Sequence, residues 1–286
     1  MSRLAKTISS YRLGLPAWAF PGWKGRYFHD RSTLLPDYAS VFNTVEGNTT
    51  FYRIPDTNTV GAWRDALAGT DFRFCFKLPR TVTHDRTPDF DDLRAFLVAT
   101  EPLSPHLGPF LLQFPARIGP GQLPVIESVL DRMPEDSRLA IEVRHPRFFS
   151  EPEILEPLIA RYRAGRVCLD SRPLYDGDRE HPDVVGALHE KPNLPVLPDV
   201  YNGLAFLRLV MHPEPAGNVP FITEWADRVA EFLLSGVETF VMIHCPNNLH
   251  CPRFALDFHR ALTCRPGMEG LADLPPWPVP QQASLI

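Results

Sequence analysis

A single TIM-like (β/α)8 barrel of parallel strands is the fold this 286-residue sequence predicts, on three observations. Eight apolar, β-prone runs alternate with segments of helical spacing, and strands joined through helices pair in parallel. Eight such units fit the chain, since barrels of this class typically take about 250 residues. No glycine-rich phosphate loop follows the first run: Gly14, Gly22 and Gly25 do not form GxGxxG, which disfavours a doubly wound nucleotide-binding sheet.

Taken in order, the predicted strands are residues 11–17, 41–47, 72–78, 110–114, 139–143, 166–170, 204–210 and 239–244. Most are short apolar runs bounded by Gly, Pro, Asn or Asp, as buried strands are. Helices are expected between them. Thr57, Asn58 and Thr59 precede VGAWRDALAG, which closes on Gly69; Asp91 and Asp92 open LRAFLVAT; Gly121 and Gln122 lead into LPVIESVLDRM. Ser150 and Glu151 begin EPEILEPLIARY, and Thr223 begins EWADRVAEFLLSG, which stops at Gly236. Acidic groups in a first turn face the positive end of the helix dipole, and a glycine past the last turn takes the left-handed conformation that ends it. Residues 172–200 show no clear period and read as a long excursion between the sixth and seventh strands. The barrel domain is expected over residues 1–264, with 265–286 as a proline-rich tail outside the fold.

Hydrophobic residues make up 44% of the chain and charged residues 22%, with a net charge of −5. That is ordinary for a soluble globular protein and gives no global electrostatic footprint for nucleic acid or an anionic membrane. Cys75, Cys168, Cys245, Cys251 and Cys264 are odd in number and form no CxxC pair, which suits reduced thiols. The N-terminal MSRLAKTISSYRLG has no apolar signal core, and no run approaches the ~18 apolar residues of a membrane span. A cytoplasmic protein with no membrane partner is the expectation.

Successive side chains of a strand alternate faces. In the third strand Phe72, Phe74, Phe76 and Leu78 share one face, opposite Arg73, Cys75 and Lys77. In the fifth, Leu139, Ile141 and Val143 oppose Ala140, Glu142 and Arg144; in the sixth, Val167 and Leu169 oppose Arg166, Cys168 and Asp170. Large apolar residues are expected to face the helices. Lys77, Glu142, Arg144 and Asp170 then enter the barrel near the C-terminal strand ends. The second strand opens into a dense polar stretch, FNTVEGNTTFYRIP, and adds Glu46 and Asn48. Gln113, Arg208 and His244 come from the fourth, seventh and eighth strands. Such convergence is where barrels of this class place their sites. The same charges could instead pair with one another and merely plug the barrel top, although buried ion networks are a weak source of stability.

The motifs AWAFPGWKGRYF, FNTVEGNTTFYRIP, FRFCFKLPRTVTHD, LGPFLLQFP, AIEVRHPRFF, the Leu169-Asp170 pair and FLRLVMHP occur in this order. On these the chain resembles the domain of unknown function 72 (YecE-like) family, from about Leu13 to Leu262. The resemblance implies a TIM-barrel-like fold and no established activity; such barrels have been compared in shape with endonuclease IV-type enzymes. Two motifs depart from the family pattern. A YxRLHG-like seventh strand is FLRLVMHP here, with His212 displaced, and an FNN-like end of the eighth strand is MIHCPNNLHCP, keeping Asn247 and Asn248.

Three chemistries are open to this mouth. The leading one is a metal-free hydrolase acting on a phosphate- or carboxylate-bearing substrate. Lys77, Arg144 and Arg208 would clamp the anion, Glu46 or Glu142 would act as general base, and Asp170 would complete the catalytic set. Asn48, Tyr52, Gln113, His244, Asn247, Asn248 and Trp18 would line the substrate site. A divalent-metal phosphoesterase would draw on Glu46, Glu142, Asp170, His145, His212 and His244, but no pair of these has a diagnostic metal spacing. The doubled His-Cys-Pro at 244–246 and 250–252 reads better as a tight loop than as a metal clip. A non-catalytic nucleotide or single-stranded nucleic-acid binder would use Trp18, Trp23, Tyr27 and Tyr52 as stacking surfaces.

Overall fold

The computed structural model describes residues 10–30 and 33–279. Its strands are β1 (Tyr11–Gly14), β2 (Thr44–Gly47), β3 (Arg73–Phe76), β4 (Phe110–Phe114), β5 (Leu139–Val143), β6 (Gly165–Asp170), β7 (Leu204–Val210) and β8 (Glu238–His244). All pair in parallel. Six form one sheet in the order β1-β8-β7-β6-β5-β4, and β2 pairs with β3. The pair bridges the two sheet edges through isolated contacts outside any ladder. Glu46 N–H donates to the Leu15 carbonyl at 3.0 Å, and Lys77 bridges Leu111, with Leu78 N–H donating to the Leu111 carbonyl at 3.1 Å. The result is a TIM-like barrel whose hydrogen-bond ladder is not closed.

The first three strands are shorter than the sequence predicts because their ends leave the ladder at these two seams. Gly14 is required at one of them: a Cβ there would lie 2.2 Å from the Thr44 carbonyl oxygen, so any side chain would push β2 away.

The helices follow their sequence signals with local shifts. In α1 (Thr57–Ala66) the N-cap is Asp56, whose carboxylate accepts from Thr59 N–H at 2.8 Å. In α2 (Phe90–Thr100) Asp89 caps by accepting from Asp91 and Asp92 N–H. The helix α3 (Leu123–Leu130) follows, while residues 151–162 break into a short 3-10 turn and α4 (Glu156–Arg161). Pro152 and Pro157 each lack an N–H and therefore sit in a first turn, not an interior one. The excursion after β6 contains α5 (Pro182–Glu190). The long α6 (Val219–Leu234) starts before Thr223, with Pro220 in its first turn, and ends ahead of Gly236 at φ +78°. Finally α7 (Cys251–Thr263) carries the second cysteine of the doubled motif inward.

Inside the barrel, Cys75, Leu111, Ala140, Val167, Leu204, Phe206, Phe240 and Met242 form a closed apolar layer. It is a packed plug on which the polar groups above it rest. One strand departs from the expected facing. Leu169 pairs in register with Arg208 and Val167 with Phe206, so Val167 and Leu169 point inward. Arg166, Cys168 and Asp170 therefore face out. Asp170 accepts from the Trp225 indole N–H of α6 at 2.7 Å and from Arg172 at 2.7 Å. Its predicted place in the catalytic set is not borne out. β6 is buried on both faces, so apolar size does not say which face is inner.

The proline-rich segment also departs from expectation over its described part. Met268 is fully buried, and Trp277 packs on Tyr27, Phe28 and Phe42 with ring centroids 5.0–6.2 Å apart. Residues 265–279 thus cover the barrel instead of leaving it; residues 280–286 of the predicted tail lie outside the described residues. Among the described residues no helix is long and apolar enough to cross a membrane.

Candidate functional site

The C-terminal strand ends open into a cavity of about 720 Å³. Its floor is an ion network assembled from strands far apart in sequence. From β7, Arg208 donates through Nε and Nη2 to both oxygens of Glu46 on β2, each at 2.8 Å, in a two-point fork. Its Nη1 donates to Glu142 of β5 at 2.5 Å. Arg144, just past β5, donates through Nε to the other Glu142 oxygen at 2.7 Å and through Nη2 to Gln113 Oε1 at 3.1 Å. His244 Nε2 lies 3.1 Å from Glu46 and Asn48 Nδ2 donates to Glu46 at 2.7 Å.

The electrostatics follow from burial. Glu46 is completely inaccessible to solvent, which alone would push its carboxyl up, but Arg208 and His244 outweigh burial and hold it well below the usual carboxylate range. For Glu142 burial likewise opposes ionisation, and Arg208 with Arg144 brings the carboxyl down to about 2. Arg208 is held charged by its two carboxylates against its own burial. Burial pushes His244 down to about 4, so a neutral imidazole in the Nε2–H tautomer donates to Glu46 at neutral pH. The network therefore balances two carboxylates with two guanidiniums.

Lys77 is different. It follows β3, is 7% exposed, and takes part in no ion pair among the described residues. Its ammonium lies over the Phe51 ring, 3.8 Å from the centroid. Phe51 is presented by the helical turn Thr49–Tyr52, which Thr50 ties to β2 and β3 by donating to the Gly47 and Lys77 carbonyls at 2.8 and 2.6 Å. Burial first, and the Arg208 charge second, bring Lys77 down to about 7. Beside it His84 accepts from Gln113 Nε2 at 3.2 Å and is pushed down to about 4 by burial and Lys77.

A second lysine enters from the excursion after β6. Lys191 follows α5 and lines the cavity; the Arg144 guanidinium donates to the neighbouring Glu190 carbonyl at 3.1 Å, and Tyr175 donates to the Lys191 carbonyl at 2.8 Å. Partial burial first, and the Arg208 charge second, bring Lys191 down to about 8. Sequence reading missed it, as it missed Arg80 at the rim. A lysine in a stretch with no period carries no signal of where its side chain goes.

The remaining expected residues divide. Asn48, Trp18, Tyr52, Gln113, His244 and Asn248 line the cavity with Lys77, Arg144 and Arg208. Trp18 is also core, edge-on to Trp63 of α1 and to Phe74 at 5.0 and 5.6 Å, whereas Tyr52 is 81% exposed at the rim. Asn248 adopts φ +60°, and its carbonyl accepts from the Trp23 indole at 2.9 Å. Asn247 is turned away onto Asp183 of α5 at 2.7 Å, outside the cavity wall. His145 and His212 cap local backbone N–H groups at 3.2 and 3.1 Å instead of joining the floor. Among the described residues no group of three or more His, Cys, Asp or Glu is placed to hold a metal ion. The floor carboxylates are already taken by arginine.

A parallel-strand barrel of TIM type, with a cation-rich cavity at its C-terminal mouth, is the class that fold and site define. Within that class, residues 12–280 match the family described as protein of unknown function DUF72, and the chain belongs to that family. It is 33% identical over 280 residues to the UPF0759 protein YecE of Escherichia coli strain K12, covering 96% of this chain and 99% of that one. The YecE protein of Escherichia coli O157:H7 is 32% identical over the same share. Among solved structures, a DUF72 protein of Enterococcus faecalis V583 has a TM-score of 0.67 at 20% identity, covering 93% of this chain and 98% of that one. One from Thermotoga maritima MSB8 has a TM-score of 0.63 at 20% identity, covering 88% and 98%. At those identities the likeness concerns the fold alone.

Proposed function

We propose that the protein is a metal-free hydrolase that takes a small phosphate- or carboxylate-bearing substrate at this mouth, with Lys77 as its general base. The observation that carries this reading is Lys77 itself: a buried amine in an open cavity, with no carboxylate partner among the described residues and with the Arg208 and Arg144 charges acting on it. A base works best when its pKa lies near the working pH, and desolvation beside like charge is how a lysine reaches that range. Neutral Lys77 would take the proton of an attacking water. The cavity cations would hold the substrate anion and the charge that develops as the ester is cleaved.

Glu46 and Glu142 suit a different task from the general-base role expected of them. Their oxygens already accept from Arg208, Arg144, His244 and Asn48, and their pKa values are too low for efficient proton uptake at neutral pH. They hold the two arginines in position and keep the floor neutral. Among the described residues no cluster of ligands supports the metal-assisted alternative. Exposed Tyr52 leaves room for an aromatic part of the ligand at the rim.

A panel of p-nitrophenyl phosphate and anionic carboxylic esters tests this reading. The wild type turns over at least one class, kcat/KM rises with pH through about 7 as Lys77 loses its proton, and Lys77→Met removes both turnover and that limb. Undiminished turnover in a folded Lys77→Met protein would refute the assignment.

A further inference from the structure

We infer that the anion this site takes is a phosphate dianion, and that Lys191, carried in by the excursion after β6, is the residue that selects it over a carboxylate. The inference rests on the anion-binding reading above and narrows its ligand class.

On the cavity floor Glu46 and Glu142 are matched by Arg208 and Arg144 through direct hydrogen bonds. The same four act on Lys191 with opposite signs, the guanidiniums disfavouring its charge and the carboxylates favouring it, and their formal charges sum to zero. Lys191 has no ion-pair partner among the described residues, although it is half-buried in the cavity wall. With Lys77 reserved as the amine, Lys191 and Arg80 are the two cations of the cavity wall still to be met by an anion. Glu190, the one carboxylate residue in that wall, and Arg80 are both exposed at the rim, where water and salt screen each of them, so Lys191 is the more shielded of the two cations. A carboxylate would satisfy one of the two cations. A phosphate monoester, doubly charged above its second pKa of about 6, would satisfy both and offers three acceptor oxygens.

The position of Lys191 adds to this. Its main chain is fixed from two sides, by Tyr175 on its own carbonyl and by Arg144 on the carbonyl before it. A flexible lysine on a surface loop loses much side-chain freedom on binding an anion; one whose backbone is clamped against the site loses less. Arg144 thereby connects Glu142 on the floor to the wall segment that carries the lysine.

Inorganic phosphate and acetate are the probes, titrated at pH 7.5 and constant ionic strength against the full chain by calorimetry or by tryptophan fluorescence. The wild type binds phosphate roughly tenfold or more tightly than acetate. Lys191→Met, checked for native circular dichroism, loses about that preference by weakening phosphate, while Lys191→Arg keeps it. Should Lys191→Met fail to fold, Arg80→Met takes its place and narrows the preference in the same direction. Equal affinity for the two anions, or a folded Lys191→Met protein that keeps the preference, overturns the inference while leaving the anion site standing. Failure of the wild type to bind either anion overturns the anion-site reading as well.

Discussion

The single side chain that most shapes this molecule is Lys77, since it carries a cost that folding alone gives no reason to retain. Its folded pKa of about 7 lies well below the ordinary lysine value of about 10.4. Between those values the unfolded chain binds more protons than the folded one, so stability rises with pH from about 7 to about 10.4 and the full penalty is present below 7. Lys77→Met should therefore stabilise the protein at pH 7, on the order of 3–5 kcal/mol, and flatten this pH dependence. Urea melts of both proteins at pH 6, 7.5 and 9 measure it; a destabilised Lys77→Met protein at pH 7 would contradict the assigned environment. Stability surrendered at one buried amine is the pattern of a functional residue. Glu46 and Glu142 have the opposite sign. Their depressed pKa values add stability above about pH 4.3 that is lost as pH falls through the folded values, toward about 2 for Glu142.

At the scale of the element, β6 shows how one strand can be read in the right place and facing the wrong way. Its bounds are within one residue of those the sequence predicts, yet Leu169 and not Asp170 points into the barrel. Asp170 instead ties the strand to α6 through the Trp225 indole and to Arg172, both at 2.7 Å. Asp170→Ala should leave turnover unchanged while costing about 2–3 kcal/mol, because a buried indole N–H loses its acceptor and Arg172 loses a charged partner. Paired activity and denaturation measurements decide this; lost turnover at native stability would return Asp170 to the catalytic set. On β3 and β5 alternation places Lys77 and Glu142 correctly, because each shares its face with a small residue, whereas Arg208 of β7 stands among Leu204, Phe206 and Val210 and is marked by its charge alone. On β6 the face of Arg166, Cys168 and Asp170 carries the same mark yet is the outer one, because the Trp225 indole and the Phe148 carbonyl supply buried partners there.

For the molecule as a whole, the barrel depends on a segment that composition alone assigns to solvent. Trp277 sits against Tyr27, Phe28 and Phe42, outside the cavity lining, and Met268 is fully enclosed. Trp277→Ala should cost about 2 kcal/mol, less than deleting a fully buried ring because Trp277 is half-buried, with little change in anion affinity. Thermal melts alongside a phosphate titration check both halves; an unchanged melting temperature would make the segment an ornament. Much of this protein was legible before any coordinates. Strand number, order and parallel pairing follow from alternating apolar periods, and most of the floor follows from charged residues at strand ends, because period and polarity are local properties of the chain. Three things belonged to the tertiary structure: which face of β6 is inner, where the excursion sets Lys191, and which carboxylates are already claimed by arginines. Each is settled by packing and pairing between residues far apart in sequence, and neither spacing nor composition encodes the distance between such residues.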